Sequence, residues 1–63
     1  MEGSMSLERF MKVYAFLPIE ERKLTVIVLD DEPVNWKRAY EEIRAETALG
    51  KRILGTLMER GLI

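Results

Sequence analysis

The chain of 63 residues has no cysteine and no histidine. Without cysteine no disulfide can brace a small fold, and no thiolate can hold a metal. Without histidine the chain lacks the commonest transition-metal ligand and the usual general base. Glutamine is also absent, and Asn35 is the only asparagine. There is no internal repeat and no low-complexity stretch. No segment reaches the roughly 18 apolar residues that a membrane span requires. The N-terminus has no basic segment followed by an apolar run, so no secretory signal is read there. The expectation is a cytoplasmic protein that does not contact membranes.

What is present is apolar and charged. Hydrophobic residues make up 48% of the chain and charged residues 33%, with a net charge of −1. High Glu, Lys and Arg with few thermolabile residues is a thermophile-like balance. The length allows one domain. Such a chain buries only about 60% of the surface its unfolded form exposes. With disulfides excluded, a dense core or a partner subunit must supply the missing stability. A homodimer is therefore expected.

The periodicity divides the chain into elements. Residues 1–5 read as a flexible tail, and Ser6 as the cap of a first helix, with Glu8 near its positive end. Leu7, Phe10, Met11, Tyr14 and Leu17 recur at helical spacing, and Val13 and Phe16 add apolar surface off that stripe. A short helix this apolar predicts contact with its own domain on one side and a second subunit on the other. Pro18 ends it. Residues 23–29 then predict a strand, because Thr25, Val26, Ile27 and Val28 are consecutive β-branched residues. A helix over residues 18–31 is the competing reading, since short apolar runs are ambiguous by periodicity. Both faces of the strand would be apolar, so cover on both sides is expected, from the domain or from a partner chain. Phe10, Val13, Phe16, Val26 and Val28 are the candidate dimer residues. Asp30-Asp31-Glu32-Pro33 predicts a tight reversal, with a return strand at Val34.

Asn35 caps a second helix whose inner face is Trp36, Ala39, Tyr40 and Ile43, with Lys37–Glu41 and Arg38–Glu42 pairs outside. Thr47 caps a third helix from Ala48 to about Arg60, with Leu49, Ile53, Leu57 and Met58 inside and Leu54 flanking. Gly50 and Gly55 each cost about 1 kcal/mol in a helix interior. They predict close approach of another helix or of a ligand. Gly61 reads as a left-handed cap, with Leu62 folding back onto the last turn. The fold class expected is α+β, with three helices and a short β-hairpin between the first and second.

Enzyme chemistry is not expected. The hydroxyls of Ser4, Ser6, Thr25, Thr47 and Thr56 have no histidine to activate them, and no phosphate-binding glycine loop is present. Asp30, Asp31 and Glu32 could meet a hard cation, but consecutive carboxylates point apart and read better as a solvated turn. No cofactor and no metal are called for.

Residues 36–63, with the capped helix pair and the Gly61-Leu62-Ile63 exit, resemble the helix-turn-helix core of small prokaryotic winged-helix regulators. The resemblance implies a DNA-binding or transcription-regulatory role, with the third helix in the major groove. It implies base contacts from Ala48, Lys51, Arg52 and Thr56, with Lys37, Arg38 and Arg44 near phosphates. Arg52 would read guanine through its two-donor fork. The turn at Arg44-Ala45-Glu46-Thr47 lacks the small residue usual there, and the expected hairpin precedes the helix pair. Charge is split: residues 1–35 sum to −3 and residues 36–63 to +2. Glu46 and Glu59 would blunt a basic surface. Double-stranded DNA is thus one expected partner. A protein docked on the apolar first helix or strand is the alternative.

Overall fold

The computed structural model describes residues 2–63. It contains α1 (Glu2–Phe16), a 3₁₀ turn (Glu21–Lys23), β1 (Thr25–Leu29), β2 (Glu32–Asn35), α2 (Trp36–Arg44) and α3 (Ala48–Glu59). This is an α+β fold with three helices and an antiparallel hairpin between α1 and α2. The β-branched run wins over the competing helix at residues 25–29, and only the 3₁₀ turn is helical between Pro18 and Asp31.

α1 begins four residues before Ser6, which lies inside the helix rather than capping it. Residues 2–5 are helical and not a loose tail; Met1 is outside the described residues. Once nucleated on the turn that buries Phe10, a helix extends at little cost where no proline intervenes. The amide of Leu17 closes the last turn on the Tyr14 carbonyl at 3.1 Å, and Pro18 follows. Arg22 reaches back from the 3₁₀ turn, donating to the same carbonyl at 3.2 Å with its guanidinium 4.3 Å from the centre of the Tyr14 ring. A cation at the C-terminal end of α1 complements the helix dipole.

The hairpin turns on Asp30 and Asp31, at φ 51° and 67°. Two successive left-handed residues match the twist of the flanking strands, and aspartate accepts that conformation better than most residues. Ile27 faces Val34, Val28 faces Pro33 and Leu29 faces Glu32. The register slips between Thr25 and Ile27, so Val26 bulges with no residue opposite it. Ile27 is 3% exposed and Val34 is buried, which fixes the core face. The opposite face is open: Leu24 is 60% exposed and Val28 53%. Cover on both sides, expected from the sequence, is not provided by the chain itself.

α2 starts at Asn35, whose Oδ1 accepts from the Arg38 amide. It ends with the Glu46 amide bonded to Ile43 O at 3.1 Å and the Thr47 amide to Glu42 O at 3.2 Å. That pattern needs a left-handed residue just past the helix, normally glycine; here Glu46 takes it at φ 56°. α3 ends the same way, with Gly61 bonded to Met58 O, Leu62 bonded to Leu57 O, and Gly61 at φ 68°. Leu62 stays exposed; Ile63 packs on the core in its place.

Phe10, Ile27, Val34, Ala39, Ile43, Ile53 and Leu57 form the buried core. Phe10 is fully buried, which removes it from the candidate dimer surface. Its ring is 5.9 Å from Tyr14 and 6.2 Å from Trp36, and Tyr14 stacks on Tyr40 at 4.4 Å and 11°. These rings tie α1 to α2. Val13 is half-buried, and Phe16 is 87% exposed.

α3 meets α2 backbone to backbone. A Cβ on Gly50 would lie 2.2 Å from Glu42 O and 2.8 Å from Ile43 N. The same construction at Gly55 meets nothing. Overpacking a fitted contact costs about 1–3 kcal/mol, more where backbone must move. Gly50→Ala should therefore lose about 3 kcal/mol or fail to fold. Glu46→Gly should gain about 1 kcal/mol by relieving the left-handed position. Urea unfolding of both variants checks the pair of signs; a Gly50→Ala protein as stable as the parent would contradict the close crossing.

Candidate nucleic-acid interface on the third helix

Ala48, Lys51, Arg52 and Gly55 fall at i, i+3, i+4 and i+7 on α3, and all four are exposed. They form its outer face, opposite the buried Gly50, Ile53 and Leu57. Glu59 extends the face one turn further and is also exposed. The face is low in relief, since two positions carry cations and two carry at most a methyl group. Gly55 has open space around it, so packing within the chain does not require its missing side chain.

Thr47 positions the start of this face. Its hydroxyl accepts from the Gly50 amide at 2.9 Å and caps α3. The hydroxyl proton goes to Glu42 Oε1 at 2.6 Å, closer than the Glu42 carbonyl at 3.3 Å. Glu42 Oε2 accepts from Arg38 Nε at 3.2 Å. The chain Arg38–Glu42–Thr47–Gly50 thus joins the body of α2 to the first turn of α3. The Thr47 hydroxyl, and behind it Arg38, hold the Glu42 carboxyl below its ordinary pKa, against the opposing effect of desolvation.

The candidate DNA-contacting residues are differently committed. Arg52 is clasped by the hairpin turn, with Nη1 2.8 Å from Asp30 Oδ2 and Nη2 3.4 Å from Asp30 Oδ1. This hydrogen bond, reinforced by the charge of Arg52, holds the Asp30 carboxyl below its ordinary value. Arg38 is paired with Glu42. Arg44 donates to the Tyr40 hydroxyl at 2.8 Å, with its guanidinium 5.6 Å from that ring. Thr56 donates to the Arg52 carbonyl of its own helix at 2.8 Å and is half-buried, so its hydroxyl is spent locally. Lys37 and Lys51 are exposed and make no ion pair among the described residues; the expected Lys37–Glu41 pair does not form.

Sequence reasoning missed the clasp between Asp30 and Arg52. The two residues lie 22 positions apart, and no spacing rule links a turn to a helix face at that distance. It also missed Glu42 as the joint between the helices. The signal available there was Thr47 following a helix that carries Arg38 and Glu42 one turn apart.

Among the described residues no three acidic side chains are grouped to hold a metal ion, and no helix is long and apolar enough to cross a membrane. No family model matches the chain, and neither a search of curated proteins nor one of solved structures returns a match.

Glu42 and Asp30 both have folded-state pKa values below those of the unfolded chain. Their ionisation therefore contributes stability above the unfolded carboxylate pKa, near 4. That contribution is lost as pH falls through the lower folded values. The melting temperature should drop as pH falls from about 5 through the lowered folded values. Glu42→Gln should be less stable near neutrality and should show a smaller drop. An unchanged pH slope in this variant would contradict the role given to Glu42.

Proposed function

We propose that this protein binds double-stranded DNA through the outer face of α3, as a small regulator of the helix-turn-helix kind. Gly55 carries the reading. It sits exposed inside a helix, where glycine costs about 1 kcal/mol against alanine, and among the described residues nothing lies within 4 Å of where its Cβ would be. A glycine that the fold does not need is accounted for by a partner that comes close. Lys51 and Arg52 flank it on the same face with positive charge, which suits a phosphate backbone. The net charge of +2 over residues 36–63 acts in the same direction.

The clasp modifies this reading. Arg52 reaches a base edge only by leaving Asp30, so Asp30 sets part of the cost of binding. The exchange is favourable where a guanine offers the fork two acceptors in place of an exposed carboxylate. Non-specific contact with phosphates would then fall mainly to Lys51 and Lys37.

A second reading is a protein-interaction or assembly module. It is favoured by the apolar side chains left open between α1 and β1, above all Phe16 at 87% and Ile19 at 72% exposure.

Fluorescence anisotropy of a labelled duplex at two salt concentrations separates the readings. Binding should weaken steeply with salt, and Lys51→Ala should lower the log–log slope by about 1. Asp30→Asn should tighten binding more than Asp31→Asn, which removes the same charge without releasing Arg52. Gly55→Gln should weaken binding and leave the melting temperature unchanged or higher. No binding at low salt, or a Lys51→Ala/Arg52→Ala protein that binds like the parent, would remove the α3 face from consideration.

A further inference from the structure

The hairpin has two outer edges, and they are unequal. Residues opposed across an antiparallel pair alternate between exchanging hydrogen bonds and directing those groups away. A two-residue turn closes on a bonded pair, here Leu29 with Glu32, which makes Ile27–Val34 bonded and Val28–Pro33 unbonded. The backbone groups of Val28 and Pro33 therefore point outward, to opposite edges. On β2 the outward residue is a proline, which has no N–H to donate, so that edge is blunted. On β1 it is Val28, which offers both donor and acceptor. Among the described residues no further strand lies along β1.

We propose that the open edge of β1 pairs antiparallel with β1 of a second copy of this chain, about a two-fold axis at Ile27, to form a four-stranded sheet. The flanking charges select this arrangement. The charged residues nearest the start of β1, Arg22 and Lys23, are basic, with Glu20 and Glu21 beyond them, and Asp30, Asp31 and Glu32 follow the strand. An antiparallel copy sets the basic end of one strand beside the acidic end of the other, whereas a parallel copy sets like charges together. The axis at Ile27 brings Lys23, at the end of the 3₁₀ turn, toward Asp31 in the hairpin turn of the second copy. Neither residue has an ion-pair partner among the described residues, while Asp30 is already taken by Arg52.

The same axis places Val26 opposite Val28 of the second copy, twice. The Val26 side chain packs on the core of its own chain, so the gain lies in the outward backbone groups of Val28, which find partners in the second copy. Leu24 and Val28 lose part of the exposure that the single chain leaves them. The pairing is independent of what α3 binds.

Sedimentation equilibrium of the full chain, with amide hydrogen exchange followed by NMR, tests the proposal. The mass should double as concentration rises, and protection of the Val28 amide should rise with it. Val28→Lys should remain a monomer with the parent's far-ultraviolet circular dichroism, and Lys23→Glu should weaken association several-fold, more at low salt than at high. A chain that stays monomeric at its highest soluble concentration would overturn the pairing. So would a dimer in which the Val28 amide exchanges freely, which would place the contact elsewhere, for example at Phe16 and Ile19. A Val28→Lys protein that dimerises like the parent would also overturn it. If Val28→Lys does not fold, protection of Val28 in the parent chain decides.

Discussion

The approach of α3 to the backbone of α2 at Gly50 is the contact on which the rest of the molecule depends. Without a Cβ at that position the first turn of α3 rests on the last turn of α2, against Glu42 and Ile43. The crossing fixes where Ile53 and Leu57 enter the core beside Ala39 and Ile43. It also brings the Thr47 hydroxyl to the Glu42 carboxylate, so the cap of one helix is bonded to the side of the other. A chain this short has few core residues to lose. One backbone contact therefore governs the seating of a helix that supplies two of the three largest fully buried side chains, the third being Phe10 of α1.

Two kinds of order follow from different physics. The interior is aromatic and aliphatic, with the Phe10, Tyr14, Tyr40 and Trp36 rings joining α1 to α2. The surface is organised by charge, and most arginines there are already engaged: Arg38 by Glu42, Arg44 by Tyr40, Arg52 by Asp30. Exposed ion pairs of this sort contribute little stability. Their larger effect is to decide which cations are free to meet a partner. Asp30 does this while occupying a left-handed turn position, so the hairpin and the α3 face are linked through one carboxylate.

The elements were legible wherever a local rule had a single strong claimant. The β-branched run at Thr25–Val28 gave the strand, the Asp30-Asp31 reversal gave the turn, and Asn35, Thr47 and Gly61 marked helix ends by their own capping chemistry. The close approach at Gly50 was legible as an anomaly of helix propensity, though Gly55 raised the same flag and has open space around it. What stayed illegible depends on contacts distant in sequence. Phe10 and Phe16 are both aromatic residues of one amphipathic helix, yet one is wholly buried and the other almost wholly exposed. Ser6 looked like a cap because nothing in residues 2–5 demands a helix, and the helix nonetheless extends through them. The left-handed position at Glu46 was invisible, because the usual marker for it is glycine. For the candidate site, the exposure of Lys51 and Arg52 could be read from helical phase, whereas the clasp on Arg52 could not.

The central claim is that the Ala48, Lys51, Arg52 and Gly55 face of α3 is a contact surface for duplex DNA. A titration of the isotope-labelled protein with a short duplex at low salt, following backbone amides by heteronuclear NMR, tests it most directly. The account predicts that the amides of Lys51, Arg52 and Gly55 shift with added duplex, and that the Asp30 amide shifts with them as its carboxylate loses Arg52. Amides of α3 that hold their positions throughout the titration would contradict it.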